Sequence, residues 1–281
     1  LALVALDLDT GELIGPFVSP EVQRRGLGRR MVREAERLAV RYQLFRLAVH
    51  AFRPTIPFYG KCGYTTLAGM DVEANPLSGL PEQVLRRHFR RRQTRFGRRI
   101  AGLLDSLGLP PDYGRRHYLP LQTEATDLVG VGADVFDRPR ELAPTAATAW
   151  TDLRTAARTD GVTLQLVSAF RSVDYQAGIV RAKLARGDTV PEILAVTAAP
   201  GFSEHHTGRA LDLTTPGADP LEAVFEHTEA FAWLQAHGAG HGFHLSYPRG
   251  NVHGIAYEPW HWCYAPERGS VPCHQTDMRD F

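Results

Sequence analysis

The sequence is poor in sulfur, with three cysteines and three methionines in 281 residues. Cys62, Cys263 and Cys273 are an odd number at wide spacing, which excludes the disulfide framework of a small secreted domain. Free thiols are the expected state, with a Cys263–Cys273 pair as the alternative. No apolar run approaches the roughly 20 residues that span a bilayer, and no signal segment is visible. A charge of one sign is lacking too. Lys and Arg number 32 against 31 Asp and Glu, a formal net charge of +1, so neither nucleic acid nor a membrane surface is the expected main partner. What is present is apolar material for packed cores, 43% of residues. At roughly 100–200 residues per domain, the length suggests two domains.

Three zones follow along the chain. Residues 1–68 alternate a strand pattern (LALVALDLD), a turn (TGE), a short strand (LIGPFV) and a helix in which Leu27, Met31, Leu38 and Tyr42 fall near helical spacing. RLAVHAF then reads as a strand, and IPFYGKCGY as a short helix ending at a glycine turn. Residues 69–115 read as a basic helical connector bracketed by Pro and Gly. Arg86, Arg87, Arg90, Arg91, Arg92, Arg95, Arg98 and Arg99 either bind a polyanion or form a solvated helix face. No aromatic platform accompanies them, which favours the solvated face. Residues 116–281 mix helix patterns (TAATAWTDLRTAARTDG, RSVDYQAGIVRAKLARG, EAFAWLQAHG) with short strands (TLQLVSAF, ALDLTT) and a strand-rich end. The absence of regular strand–helix alternation predicts an α+β fold.

The chemistry concentrates in that third zone. Twelve histidines are present, and two segments are informative: SEHHTGRALDL, residues 203–213, and EPWHW, residues 258–262. Gly208 lets the chain turn between a loop histidine and Asp212 on the ALDL strand, so the two can face one point. His261 from a separate strand would complete a site of two imidazoles and a carboxylate. Such a set suits zinc and leaves a fourth position for water. Glu258 lies three residues before His261, where a carboxylate can take a proton from that water and pass it to a leaving amine. At this level His205 and His206 compete as the loop ligand.

SEHHTGRALD resembles the S-x-H-x-x-G-x-A-x-D signature of the D-alanyl-D-alanine carboxypeptidase family of zinc peptidases, and EPWHW resembles that family's E-x-W-H segment. The resemblance implies a hedgehog/D-Ala-D-Ala peptidase-like domain, with a small antiparallel sheet and flanking helices. It implies His205, rather than His206, with Asp212 and His261 as zinc ligands, and Glu258 as catalytic base. Arg171, in SAFRS, resembles the arginine that holds the substrate and stabilises the oxyanion, a task suited to a planar guanidinium. Gln176 and Ser203 resemble residues lining the pocket for the terminal D-alanine, although Ser203 could equally cap its loop. Trp260 and Trp262 are expected to pack the wall of the site. The implied activity is hydrolysis of D-Ala-D-Ala or related peptidoglycan peptides. A silent wall-peptide-binding module on the same fold is the alternative.

Nearer the start, VSPEVQRRGLGRRMVREAE places Q-R-R-G-L-G between a strand and a helix, where backbone N–H groups can cradle a pyrophosphate. This resembles the coenzyme A motif of the GNAT acetyltransferases, and FYGKCGY resembles a later segment of that family. The resemblance implies a partial GNAT-like α/β segment. In it Gln23, Arg25, Gly26, Gly28 and Arg29 would surround the pyrophosphate of acetyl-CoA, with Tyr59 as a general acid near the thiol. It covers only about the last half of an acetyltransferase. An acetyl-CoA-dependent N-acetyltransferase fused to a peptidase is thus a further alternative for the function, and acetyl-CoA chemistry in turn implies a cytoplasmic location.

Overall fold

The computed structural model describes residues 1–42, 44, 46–66, 73–74, 81–88 and 95–266. The chain forms two compact units: residues 1–98 with 111–121, and residues 99–110 with 122 onward.

In the first unit, β1 (Ala2–Leu6) and β2 (Leu13–Val18) form an antiparallel hairpin. Its turn is set by Asp7, whose Oδ1 accepts from the backbone N–H groups of Asp9 and Thr10. Helix α1 (Leu27–Arg41) opens at Gly26, whose φ of 81° favours glycine. Its buried face is Val32, Ala35, Glu36 and Ala39, not the expected series, since Leu38 is 39% exposed. Small side chains let the helix lie close against Leu47, Val49 and Ala51 of β3 (Arg46–Phe52), so the alanines face the sheet and the leucine does not. Helix α2 (Ile56–Lys61), β4 (Thr65–Thr66), β5 (Glu73–Ala74) and β6 (Pro81–His88) follow.

The basic connector differs from its expected helix. Residues 81–88 are a strand that pairs antiparallel with all of β3, from Arg46 opposite His88 to Phe52 opposite Glu82. Arg86 and Arg87 therefore belong to a sheet, and Arg87 reaches Glu36 of α1 at 2.9 Å. The physical reason is pairing: a seven-residue ladder outweighs the helix preference of the arginines. Arg90, Arg91 and Arg92 lie outside the described residues. Helix α3 (Arg95–Ser106) carries Arg95, Arg98 and Arg99, and α4 (Tyr113–Arg116) is a single turn.

In the second unit, β7 (Val129–Ala133) and β8 (Pro139–Leu142) form a hairpin. Helix α5 (Pro144–Thr159) buries Ala146, Ala147, Trp150, Leu153 and Ala157 at helical spacing. Then come β9 (Gln165–Ser168), α6 (Val173–Ala185), α7 (Val190–Val196), β10 (Ala210–Thr214), α8 (Glu229–His237), β11 (Phe243–Leu245) and β12 (His261–Tyr264). The Ser172 side chain caps α6 by accepting from Tyr175 N–H. An antiparallel sheet runs in the order β11-β12-β10-β9, with β10 buried along its whole length. The core packs α5 and α8 against this sheet through Trp150, Leu153, Leu211, Leu213, Leu234, Phe243 and Trp262. The arrangement is α+β, as expected. Among the described residues no helix is long and apolar enough to cross a membrane.

Candidate metal centre

Two ligands come from the inner strands of the sheet. Asp212 on β10 lies directly opposite His261 on β12, and opposed residues of an antiparallel pair project to the same face with Cβ atoms about 5 Å apart. The third comes from a 3-10 turn, Glu204–Thr207, that feeds β10 through Gly208. Gly208 has φ +65°, and a Cβ there would stand 2.8 Å from the Ala143 nitrogen. Only glycine lets the chain turn this close to the neighbouring backbone. Glu258 is fixed by backbone bonds on both sides: its N–H donates to the Tyr247 carbonyl, and its carbonyl accepts from His261 N–H, each at 3.1 Å.

The side chains meet in an arrangement that needs a cation. Nδ1 of His205 lies 2.6 Å from the Ala169 carbonyl. A carbonyl only accepts, so Nδ1 carries the hydrogen and Nε2 of the neutral ring is a bare lone pair. That Nε2 is buried, makes no hydrogen bond of good geometry, and faces Asp212 Oδ2 at 3.2 Å. Two acceptors so placed repel unless a proton or a metal ion stands between them. His261 Nδ1 lies 3.1 Å from Asp212 Oδ1. One ligand atom from each of His205, Asp212 and His261 lies within 4.8 Å of the others, all buried. Ligand atoms at about 2.0–2.1 Å from a tetrahedral ion stand about 3.3 Å apart, so these separations and this donor set fit a metal.

The charges agree with that reading. Burial pushes His205 down to about 4, and the Arg171 guanidinium adds to the push against the pull of Asp212. Burial opposes charge on His261 too, but Asp212 and Glu204 on either side outweigh it and lift it to about 10. Asp212 is held well below the usual carboxylate range, because His205, His261 and Arg171 overcome the cost of its burial. Burial pushes Glu258 up to about 7, with its Oε2 3.7 Å from His261 Nδ1. A carboxyl poised near neutrality beside a metal site can both take and return a proton. Arg171 borders the same space: its Nη2 is 3.7 Å from Asp212 Oδ2, and its Nε is buried without a hydrogen bond.

Comparison with known proteins bears on the same stretch. The family model for VanY, D-alanyl-D-alanine carboxypeptidase, matches residues 139–267. The matched segment carries His205, Asp212, Glu258 and His261. The acetyltransferase (GNAT) family model matches residues 2–64. Over 172 residues the chain is 28% identical to the protein YodJ of Bacillus subtilis, covering 58% of this chain and 62% of that protein. Over 123 residues it is 32% identical to a D-alanyl-D-alanine carboxypeptidase of Enterococcus faecalis, covering 40% of this chain and 44% of the relative. The chain thus spans less than two thirds of either relative. Among solved structures, the LD-carboxypeptidase LdcB is 29% identical, covering 52% of this chain and 72% of its own, with a TM-score of 0.48. A VanYB structure in complex with D-alanine-D-alanine is 27% identical, covering 51% and 80%, with a TM-score of 0.42.

The other expected residues of the VanY-type domain take definite places. His206 is buried beside the cluster, but both its ring nitrogens are used. Nε2 accepts from Gly201 N–H at 3.0 Å, so Nδ1 carries the hydrogen and donates to the Arg171 carbonyl at 2.7 Å. Gln176 on α6 is buried, with Nε2 donating to the Ala198 carbonyl and Oε1 lacking a hydrogen bond. Ser203 is buried at the start of the 3-10 turn and makes no side-chain cap to it. Trp262 lies in the core and donates to the Pro259 carbonyl, while Trp260 is half-buried against that core. Cys273, the alternative partner for Cys263, lies outside the described residues. Glu204, Ser246 and Tyr247 also border the cluster, outside the residues that the sequence singles out. The Tyr247 ring packs 4.8 Å from that of His261. The signal for Glu204 was its place inside the motif, next to His205.

In the first unit, Gln23, Gly26, Gly28 and Arg29 line a cavity of about 480 Å³ with Arg24, Phe58 and Tyr59. Arg25 is exposed and not among the lining residues. Tyr59 donates its hydroxyl to the Gly15 carbonyl. Burial pushes it up to about 12, so it holds its proton firmly.

Proposed function

We propose that the VanY-type domain is a zinc-dependent carboxypeptidase that hydrolyses D-Ala-D-Ala or related peptidoglycan peptides. The observation that carries this reading is the bare Nε2 of His205 facing Asp212, with His261 alongside and Glu258 beside them, in a domain matched by the VanY family model. His205, Asp212 and His261 would hold the ion. Bound zinc lowers the pKa of water and polarises the scissile carbonyl. Glu258 accepts the proton of the attacking water and returns it to the departing amine. Its buried carboxyl, raised towards neutrality, suits both halves of that exchange. Arg171 offers its guanidinium to the negative charge that develops on the carbonyl oxygen. Gln176 and Ser203 line the pocket for the terminal residue. The test is release of D-alanine from a D-Ala-terminated muropeptide by the zinc-loaded chain. Glu258→Ala is expected to keep one zinc per chain and to lose about 10²–10⁴-fold in kcat. Full activity in that variant overturns the role of Glu258, and no D-alanine release by the wild type overturns the substrate.

A second reading concerns the first unit. The cavity lined by Gln23, Gly26, Gly28 and Arg29 favours the pyrophosphate of acetyl-CoA as its occupant. A cytoplasmic place of action, on recycled wall peptides, accompanies that reading. Calorimetry with acetyl-CoA tests it, and absence of heat at millimolar ligand removes it.

A further inference from the structure

The second face of the His261 ring is also engaged. Its Nδ1 looks towards Asp212 and the candidate ion, while its Nε2 lies 3.0 Å from Glu204 Oε2. The same Oε2 accepts from Ser246 Oγ at 2.5 Å. Ser246 is itself tied to β12, its N–H donating to the His261 carbonyl at 3.4 Å. The three residues thus form a closed loop of contacts on the far side of the ring from the ion. Both imidazoles of the site are braced from behind, but not alike: His205 rests on the neutral carbonyl of Ala169, and His261 on a carboxylate.

We propose that Glu204, held in place by Ser246, is a positioning residue that makes His261 the stronger donor of the two imidazoles. The inference rests on the metal reading above. A neutral imidazole has one hydrogen, and a carboxylate facing Nε2 fixes that hydrogen there. Nδ1 is thereby left bare on the metal side. The negative charge behind the ring raises its basicity and so its affinity for a cation, and the bond also fixes the ring plane. Ser246 removes the remaining freedom, since one carboxylate oxygen receives both hydrogens. Glu204→Gln keeps the shape and an accepting oxygen but removes the charge. Its amide nitrogen cannot accept from Ser246.

The experiment is zinc affinity of the full chain by competition with a chromophoric chelator, for the wild type, Glu204→Gln, Glu204→Asp, Ser246→Ala and His261→Ala. Circular dichroism of the metal-free proteins serves as the check on folding. Glu204→Gln is expected to weaken zinc by about 10–100-fold, Glu204→Asp to recover part of the loss, and Ser246→Ala to lose a smaller factor. In zinc-loaded wild type labelled with ¹⁵N-histidine, the His261 Nε2 proton is expected downfield, and to move upfield in Glu204→Gln. A purely structural role would leave that resonance unmoved. Wild-type affinity in Glu204→Gln overturns the proposal. Should that variant fail to fold, Ser246→Ala decides, and wild-type affinity there overturns it equally. A wild type that binds zinc no better than His261→Ala brings down the metal reading itself, and the proposal with it.

Discussion

The two hydrogen bonds of His206 run in one direction, from Gly201 N–H through the ring to the Arg171 carbonyl. Its ring is a strut between the loop at Gly201 and the backbone of Arg171. Burial pushes its pKa down to about 4, so the strut stays neutral and keeps one tautomer across the working pH range. His206→Ala leaves a buried N–H and a buried carbonyl without partners, at about 1–3 kcal/mol for each. Urea unfolding should register that loss, and kcat should fall as Arg171 loses its support, while zinc stoichiometry stays at one. Unchanged stability would remove the strut. Asp212, Gly208, Glu258 and His261 were legible in the sequence because each is placed by local backbone: a turn, a strand register, a three-residue spacing; local backbone left His205 and His206 level, and only the resemblance of the motif singled out His205. Glu204 was not, because its partners Ser246 and His261 are 42 and 57 positions away. Only the folded sheet brings them together.

Among elements, the β7–β8 hairpin shows what periodicity cannot reveal. Its strand VGVGA has two glycines and a largely exposed surface, so no apolar face announces it. The buried carboxylate of Asp134 holds it, accepting from the N–H groups of Phe136 and Arg138 and from the guanidinium groups of Arg138 and Arg140. Burial works against that charge, but these donors outweigh it and hold the carboxyl below its usual range. The sign follows: with the folded pKa depressed, the stabilisation is complete above the unfolded value of about 3.9 and is lost as pH falls through the folded value. Asp134→Asn should cost about 3 kcal/mol at pH 7, and its gap from wild type should narrow as the pH falls below about 3.9. Urea titrations at several pH values measure this, and a gap constant down to pH 3 would exclude the carboxylate as its source. By contrast α5, α6, α8, β3 and β10 were readable, since their apolar residues recur at the period of the element. Strand β6 was misread because its arginines suit a helix and only the ladder with β3 makes it a strand.

At the scale of the whole molecule, the four tryptophans, Trp150, Trp233, Trp260 and Trp262, all fall in the second unit. Tryptophan fluorescence therefore follows the VanY-type unit alone. A ligand that binds only the folded state adds RT ln(1 + [L]/Kd), about 4 kcal/mol at a thousandfold excess over Kd. Zinc should raise the fluorescence-detected melting transition, EDTA should reverse the rise, and His261→Ala should abolish it. A transition indifferent to zinc would count against the site. The register of the sheet carries this further. Asp212 and His261 face each other across β10 and β12, the two inner strands of four. An ion shared by them is a rivet through the middle of the ladder rather than a weight at its edge. Amide hydrogen exchange should then respond most to zinc in β10 and β12 and least in the β7–β8 hairpin, so that stripping the ion loosens the sheet from its centre outward.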